Sequence, residues 1–187
     1  MEFLCFDAAR KSFEAMADGR ADLCFLAVEP AREAEVAFTA PYVLIEGVYA
    51  VPRDSPLTAP GEVDRPGVRI GVKEGSAYDL YLTRTLAEAE LVRGREGVDT
   101  FRDQGLEAGA GIRQPMAEYA AAHPEVRLLE PAFMEIRQAV GIPRTKRPET
   151  AAFLRELVEE LKANGFIAGA LHRSDRPTTL LAPPAGP

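Results

Sequence analysis

The stretch from Asp22 to Tyr42, DLCFLAVEPAREAEVAFTAPY, constrains the fold more than any other part of the chain. It opens with an unbroken apolar run, Leu23 to Ala27, behind a Gly-Arg turn. A short run of this kind beside a turn reads as a buried strand covered on both faces. Glu29-Pro30 stops it, because proline has no N–H for the ladder. Arg32 follows just past the strand end, and the chain returns to apolar surroundings at Phe38-Thr39-Ala40-Pro41-Tyr42. In open α/β sheets ligands bind beyond the carboxyl ends of strands. A guanidinium there offers a planar fork to a carboxylate. The alternative is that Arg32 only neutralises Glu29, Glu33 or Glu35 on the surface.

The remainder alternates strand-like and helix-like segments, which predicts an α/β fold. Glu2 to Asp7 is β-rich, and Ala8 to Asp18 reads as a helix with Phe13, Met16 and Ala17 on one face. With the run to Ala27, these segments predict a strand, helix, strand crossover between parallel strands. Tyr42 to Val51 is β-prone, with a bend at Gly47. The proline-rich stretch Arg53 to Pro66 reads as a linker or crossing rather than a packed element. Val68 to Val72 predicts a strand, then a Gly75-Ser76 turn and a helix to about Ala89, with Ser76 as its N-cap. Such a helix start presents backbone N–H groups that suit an anion, although it also serves as a plain capped helix.

Val98 to Gln104 predicts a short helix, Leu106 to Ile112 a glycine-rich strand, and Pro115 to Ala122 another helix. Val126 to Leu129 and Met134 to Gly141 are strands. The clearest helix is Pro148 to Asn164, where Phe153, Leu154, Leu157, Val158 and Leu161 recur at helical spacing. A short helix from Phe166 to His172 follows, and Asp175 to Pro187 reads as a disordered tail.

The net charge of −7 argues against nucleic acid and against a polybasic membrane anchor. No apolar run approaches the roughly 20 residues of a membrane span, so no direct membrane insertion is expected. Cys5 and Cys24 sit in apolar runs far from His123 and His172, which predicts buried free thiols, no metal, no cofactor and no Cys-His nucleophile.

The ordered series of motifs resembles the amino-acid-type periplasmic solute-binding proteins of ABC importers (extracellular solute-binding proteins, family 3). Asp22, an apolar strand, Pro30 and Arg32, then Phe38-Thr39-x-Pro41-Tyr42, is similar to the family's Asp, strand, Thr-Pro-Glu-Arg-like turn and Phe-Ser-x-Pro-Tyr. The turn is shorter and carries Glu29-Pro30-Ala31. The likeness runs from Phe3 to about His172. It implies a two-lobed fold with two hinge crossings, lacking the family's opening strand and helix: lobe 1 is residues 1–51 and 138–174, lobe 2 is 52–137, and 175–187 is the tail. It further implies a small carboxylate-bearing ligand held between the lobes, an ABC permease as partner and a periplasmic location. By that resemblance Arg32 grips the ligand carboxylate with help from Gly75, Ser76 and Ala77. Glu29, Arg113 and Gln114 read the remainder.

One departure is that the family's amine-pairing aspartate falls near Ile112 or Arg113, where no acid stands. A cation repels an ammonium. Either the ligand lacks the amine or carries a second anionic group, or the amine is held elsewhere, by Glu29 or Glu46. Two further classes remain open from the resemblance: a dehydratase acting on prephenate-like acids, and a sensory domain.

Overall fold

A computed structural model provides the structure, and it describes residues 2–177 and 180–186. In chain order the elements begin with α1 (Ala9–Ala17), β1 (Cys24–Ala27), α2 (Pro30–Glu33), β2 (Val36–Phe38) and β3 (Val43–Pro52). Then come β4 (Arg69–Lys73), α3 (Ala77–Thr85), β5 (Glu90–Gly94), α4 (Gly97–Asp103), β6 (Ala108–Ile112) and α5 (Arg113–Ala122). The chain closes with β7 (Val126–Leu128), β8 (Met134–Pro143), α6 (Pro148–Ala163) and α7 (Phe166–Arg173). The fold is mixed α/β, as the alternation predicts. Two compact units divide it: residues up to Ile45 with those from Arg137 onward, and Glu46–Ile136. The chain passes between them twice, inside β3 and inside β8.

In the first unit β1 and β2 both pair antiparallel with β8, Cys24 opposite Gly141 and Phe38 opposite the same glycine. Any side chain at Gly141 would run into Val36, Cys24 and Phe38. Met16 from the amphipathic α1 packs with Cys24, Leu26 and Val36 to make the core there. Thr39 and Tyr42 continue the pairing where prolines interrupt it. The Thr39 N–H donates to the Val140 carbonyl (2.9 Å), and its hydroxyl accepts from the Val140 N–H (3.2 Å). The Tyr42 N–H donates to the Gln138 carbonyl (2.8 Å).

Three sequence expectations fail in this unit. Glu2 to Asp7 forms no strand: Phe3, Leu4 and Phe6 are exposed and no described strand lies against them, so the predicted parallel crossover is absent. The run Leu23 to Ala27 is not covered on both faces. β1 stands at the edge of its sheet, and Phe25 is 60% exposed, in a T-shaped contact with the Tyr42 ring. Cys5 is exposed rather than buried, because its segment lacks a sheet, whereas Cys24 is buried.

The chain end also departs from a disordered tail over its described part. Leu181 bridges to Val43, Ala182 is buried and its N–H reaches the Tyr42 carbonyl (3.1 Å). The Lys162 ammonium, buried on α6, donates to the Pro183 carbonyl (2.8 Å). A buried lysine needs acceptors, and the chain end supplies one. Thr178, Thr179 and Pro187 of that segment lie outside the described residues.

The second unit is built on β5-β4-β6-β3, with β4 parallel to both β5 and β6, and β3 antiparallel to β6 and to β7. Val48, Ala50, Phe101, Leu106, Met116 and Val126 form its core. The glycine-rich character of β4 and β6 has a packing cause. A methyl on Gly97 of α4 would come within 2.4 Å of the Ala110 carbonyl oxygen, and one on Gly71 within 2.5 Å of the Gly97 oxygen. Helix and sheet therefore touch backbone to backbone.

The proline-rich stretch 53–66 is packed rather than a free linker: Leu57 and Val63 are buried. The Asp64 carboxylate accepts from the N–H groups of Ala87, Glu88 and Ala89 at 2.9, 2.8 and 2.9 Å, which holds it below the usual carboxylate range. That clamp ends α3 at Thr85, short of the predicted Ala89, and turns the chain into β5, a strand absent from the sequence prediction.

Candidate ligand-binding site

Each unit positions part of the predicted constellation. In the first, β1 ends against Pro30, whose missing N–H suits the opening of the short α2. This turn carries Glu29 and Arg32 inward, at 3% and 2% exposure. Arg32 is therefore buried rather than on the surface, with the charge of Glu29 nearby. Its Nη1 donates to the Ala27 carbonyl at 2.9 Å, tying the guanidinium to the end of β1. Burial pulls the Arg32 pKa below its ordinary value, and the nearby Glu29 charge opposes that pull without cancelling it. Burial also lifts the Cys24 thiol to about 11.

In the second unit β4 and β6 are adjacent and parallel, so the turns at their carboxyl ends share one edge of the sheet. Gly75, Ser76 and Ala77 stand at the first of these turns, Arg113 and Gln114 at the second. Gly75 has φ of +68°, a conformation that favours glycine. Ser76 is the N-cap, its hydroxyl accepting from the Asp79 N–H at 3.1 Å. The buried Asp79 carboxylate reaches back to the Gly75 N–H (2.8 Å) and pairs with Arg93 (3.0 Å). The Ser76 N–H donates to the Lys73 carbonyl (3.1 Å). Two of the predicted backbone donors are thus engaged inside the protein. Ala77 and Tyr78 open the helix, where N–H groups have no intrahelical acceptor. Burial raises the Tyr78 hydroxyl to about 12.

Arg113 is enclosed by acid. Its Nε donates to Glu46, and its Nη2 donates to Glu130 at 2.8 Å, with Nη1 on the other Glu130 oxygen. The bidentate Glu130 pair, with Glu46 added, raises the Arg113 pKa and lowers that of Glu130. Gln114 instead donates along α5 to Glu118 (3.1 Å). Sequence reasoning named Arg113 and Glu46, and Asp79 as part of the Ser76 cap, but missed Glu130 and Arg93. Gly47 is what brings Glu130 near: it pairs with Ile112, and the Phe133 N–H donates to its carbonyl (2.9 Å). A methyl on Gly47 would come within 2.7 Å of Met134. Beside this edge Phe133 stacks on Tyr49 with ring centroids 4.2 Å apart and lies 6.1 Å from the Tyr81 ring. Burial raises the Tyr49 hydroxyl above its ordinary value. Among the described residues no His/Cys/Asp/Glu group is arranged to hold a metal ion.

No family profile matches the sequence, and no curated protein sequence matches it either. Solved structures do resemble it. The solute receptor for L-cysteine of Neisseria gonorrhoeae superposes with a TM-score of 0.75 at 18% identity, over 94% of this chain and 76% of that one. A binding component of an ABC transporter from Wolinella succinogenes, complexed with lysine, gives 0.71 at 13% identity, over 86% and 72%. An ancestral amino-acid-binding protein described as a precursor of cyclohexadienyl dehydratase gives 0.67 at 18%, over 86% and 72%. The chain therefore has the periplasmic-binding-protein-like α/β fold of the amino-acid-binding proteins of ABC transporters. At these identities the likeness is one of fold.

Proposed function

We propose that this protein is the solute-binding component of an ABC importer and captures a small ligand carrying both a carboxylate and an ammonium group. The likeness of fold to transporter proteins named for cysteine and lysine carries the reading. Arg32 is the partner of the ligand carboxylate. A dry guanidinium gains more from an anion than a solvated one does. The helix-opening N–H groups of Ala77 and Tyr78 are further donors suited to an anion. The ammonium partner is the acidic pair around Arg113. Two carboxylates against one guanidinium leave a net charge of −1, so this cluster attracts a cation although a cation stands at its centre. Of the alternatives left open by the sequence, this net acidity supports Glu46, joined by Glu130, as the ammonium partner over a dianionic ligand. A permease is the partner implied and the periplasm the working location. Among the described residues no helix is long and apolar enough to cross a membrane.

The test is a thermal-melt screen against amino acids, keto acids and dicarboxylates. A ligand bound only by the folded state raises the melting temperature by mass action, by about 2.7 kcal/mol of stabilisation at a hundredfold excess over Kd. Shifts with amino acids and none with their keto-acid counterparts are expected. A shift with dicarboxylates alone would overturn the ammonium assignment. The likeness to a binding protein described as a precursor of cyclohexadienyl dehydratase motivates a second reading, for which turnover of prephenate or arogenate is the direct assay. General-acid chemistry needs a carboxyl with a raised pKa, whereas Glu130 is held low.

A further inference from the structure

A groove of about 480 Å³ lies wholly within the first unit, and Arg32 is not among its walls. Its size falls in the roughly 300–1,000 Å³ range of small-molecule sites. Three arginines line it: Arg137 on β8, Arg144 just beyond β8, and Arg155 on α6. Glu33 is the one acidic residue among the lining residues. Phe38 and Pro41 add an apolar stretch of wall, and Pro183 to Gly186 complete it.

The walls are fixed rather than loose. The Arg144 N–H donates to the Glu35 carbonyl (2.9 Å) and its Nε to the Glu33 carbonyl. The chain end is pinned by the Lys162 ammonium on the Pro183 carbonyl (2.8 Å) and by the Ala185 N–H on a Glu159 oxygen (3.0 Å). Among the described residues the Arg137 and Arg155 guanidinium groups make no hydrogen bond or ion pair. Three guanidinium groups sharing one concavity repel one another, and a multivalent anion relieves that repulsion. A protein of net charge −7 that concentrates cations in one groove directs them at something specific.

We propose that this groove is a second ligand site, separate from the solute site, and that it binds a small multivalent oxyanion. Phosphate and carboxylate oxygens both match the guanidinium fork, so a phosphate ester and a polycarboxylate share the required chemistry. Phe38 and Pro41 would lie along the carbon skeleton. The site stands independently of the solute-binding reading.

Pyrophosphate and citrate are the probes, titrated at ionic strength held constant with sodium chloride, with melting temperature and amide NMR shifts as readouts. Saturable binding in the millimolar range or tighter is expected, with shifts centred on Thr39 and Ala185. Preference for one probe separates the phosphate source from the carboxylate source. The double variant Arg137→Ala/Arg155→Ala, at exposed positions, is expected to weaken binding at least about tenfold without lowering the unliganded melting temperature. A charge-matched double variant outside the groove, Arg10→Ala/Arg20→Ala, is expected to leave it intact, as is Arg32→Ala. Failure of both probes to saturate, or equal weakening by the two double variants, overturns the proposal. Loss of probe binding in Arg32→Ala would show that the anion occupies the solute site instead.

Discussion

The two units hold their arginines in opposite ways. Arg32 in the first is 2% exposed, and burial drags its pKa down against the pull of Glu29. Arg113 in the second keeps a third of its side chain exposed, and Glu130 and Glu46 push its pKa up. The same residue type is thus prepared for different partners. A desolvated guanidinium gains strongly from an arriving carboxylate, because little water is left to screen it. A guanidinium held by two carboxylates has no such demand, and its surroundings are net acidic.

The largest effect that sharpens this contrast is expected from Arg32→Ala. Amino-acid-induced melting shifts should vanish. Because Arg32 is buried and bonded to the Ala27 carbonyl, the variant should also lose about 2 kcal/mol of stability by leaving buried polar groups uncompensated. A surface arginine would show no such loss, so a denaturant titration separates the two. Retained ligand shifts would place the carboxylate elsewhere.

Next comes the pair Glu46→Gln/Glu130→Gln. Removing both acids leaves Arg113 as a bare cation, and amino-acid affinity should fall about tenfold or more, while a keto acid should gain affinity rather than lose it. Isothermal titration of both ligands reads this. Unchanged amino-acid affinity would remove the acidic pair from the site.

The smallest effect concerns Arg113 itself. Its ion pairs are partly exposed, so Arg113→Ala should change stability by less than about 1 kcal/mol. The clearer readout is pH. In the folded protein Glu130 sits below its ordinary value of 4.5. The pair's stabilisation is therefore present at and above the ordinary carboxylate range, and is lost as pH falls through the lowered folded value. NMR titration of the Glu130 carboxyl should show its midpoint rising towards the ordinary value in Arg113→Ala. An unmoved midpoint would mean that the pair does not persist in solution.

Much of the scaffold was legible because its signals are local. The i, i+3, i+4 recurrence from Phe153 to Leu161 needs only its own neighbours to declare a helix, and α6 runs over Pro148–Ala163. Ser76 identifies its helix start through a hydroxyl that reaches three residues on. Proline at residue 30 and glycine at 75 act on their own φ angles, which no distant contact alters.

What sequence reading missed depended on partners distant along the chain. Glu2 to Asp7 carries the composition of a strand, yet a strand exists only where another lies beside it, and none of the described strands does. β5 is legible only once β4 supplies its ladder and Asp64 turns the chain into it. The chain end looked structureless for want of periodicity, but it satisfies a buried lysine on α6.

The site divides along the same line. The sequence by itself determined that an arginine stands past the end of β1 and that a capped turn follows β4, since both are punctuated by proline, glycine and serine. The tertiary structure alone decided that Arg32 is dry and that Arg113 is wrapped in acid. Desolvation and ion pairing fall off over a few ångströms of space, and residues 46, 113 and 130 become neighbours only because Gly47 lets a strand and a loop meet beside β6.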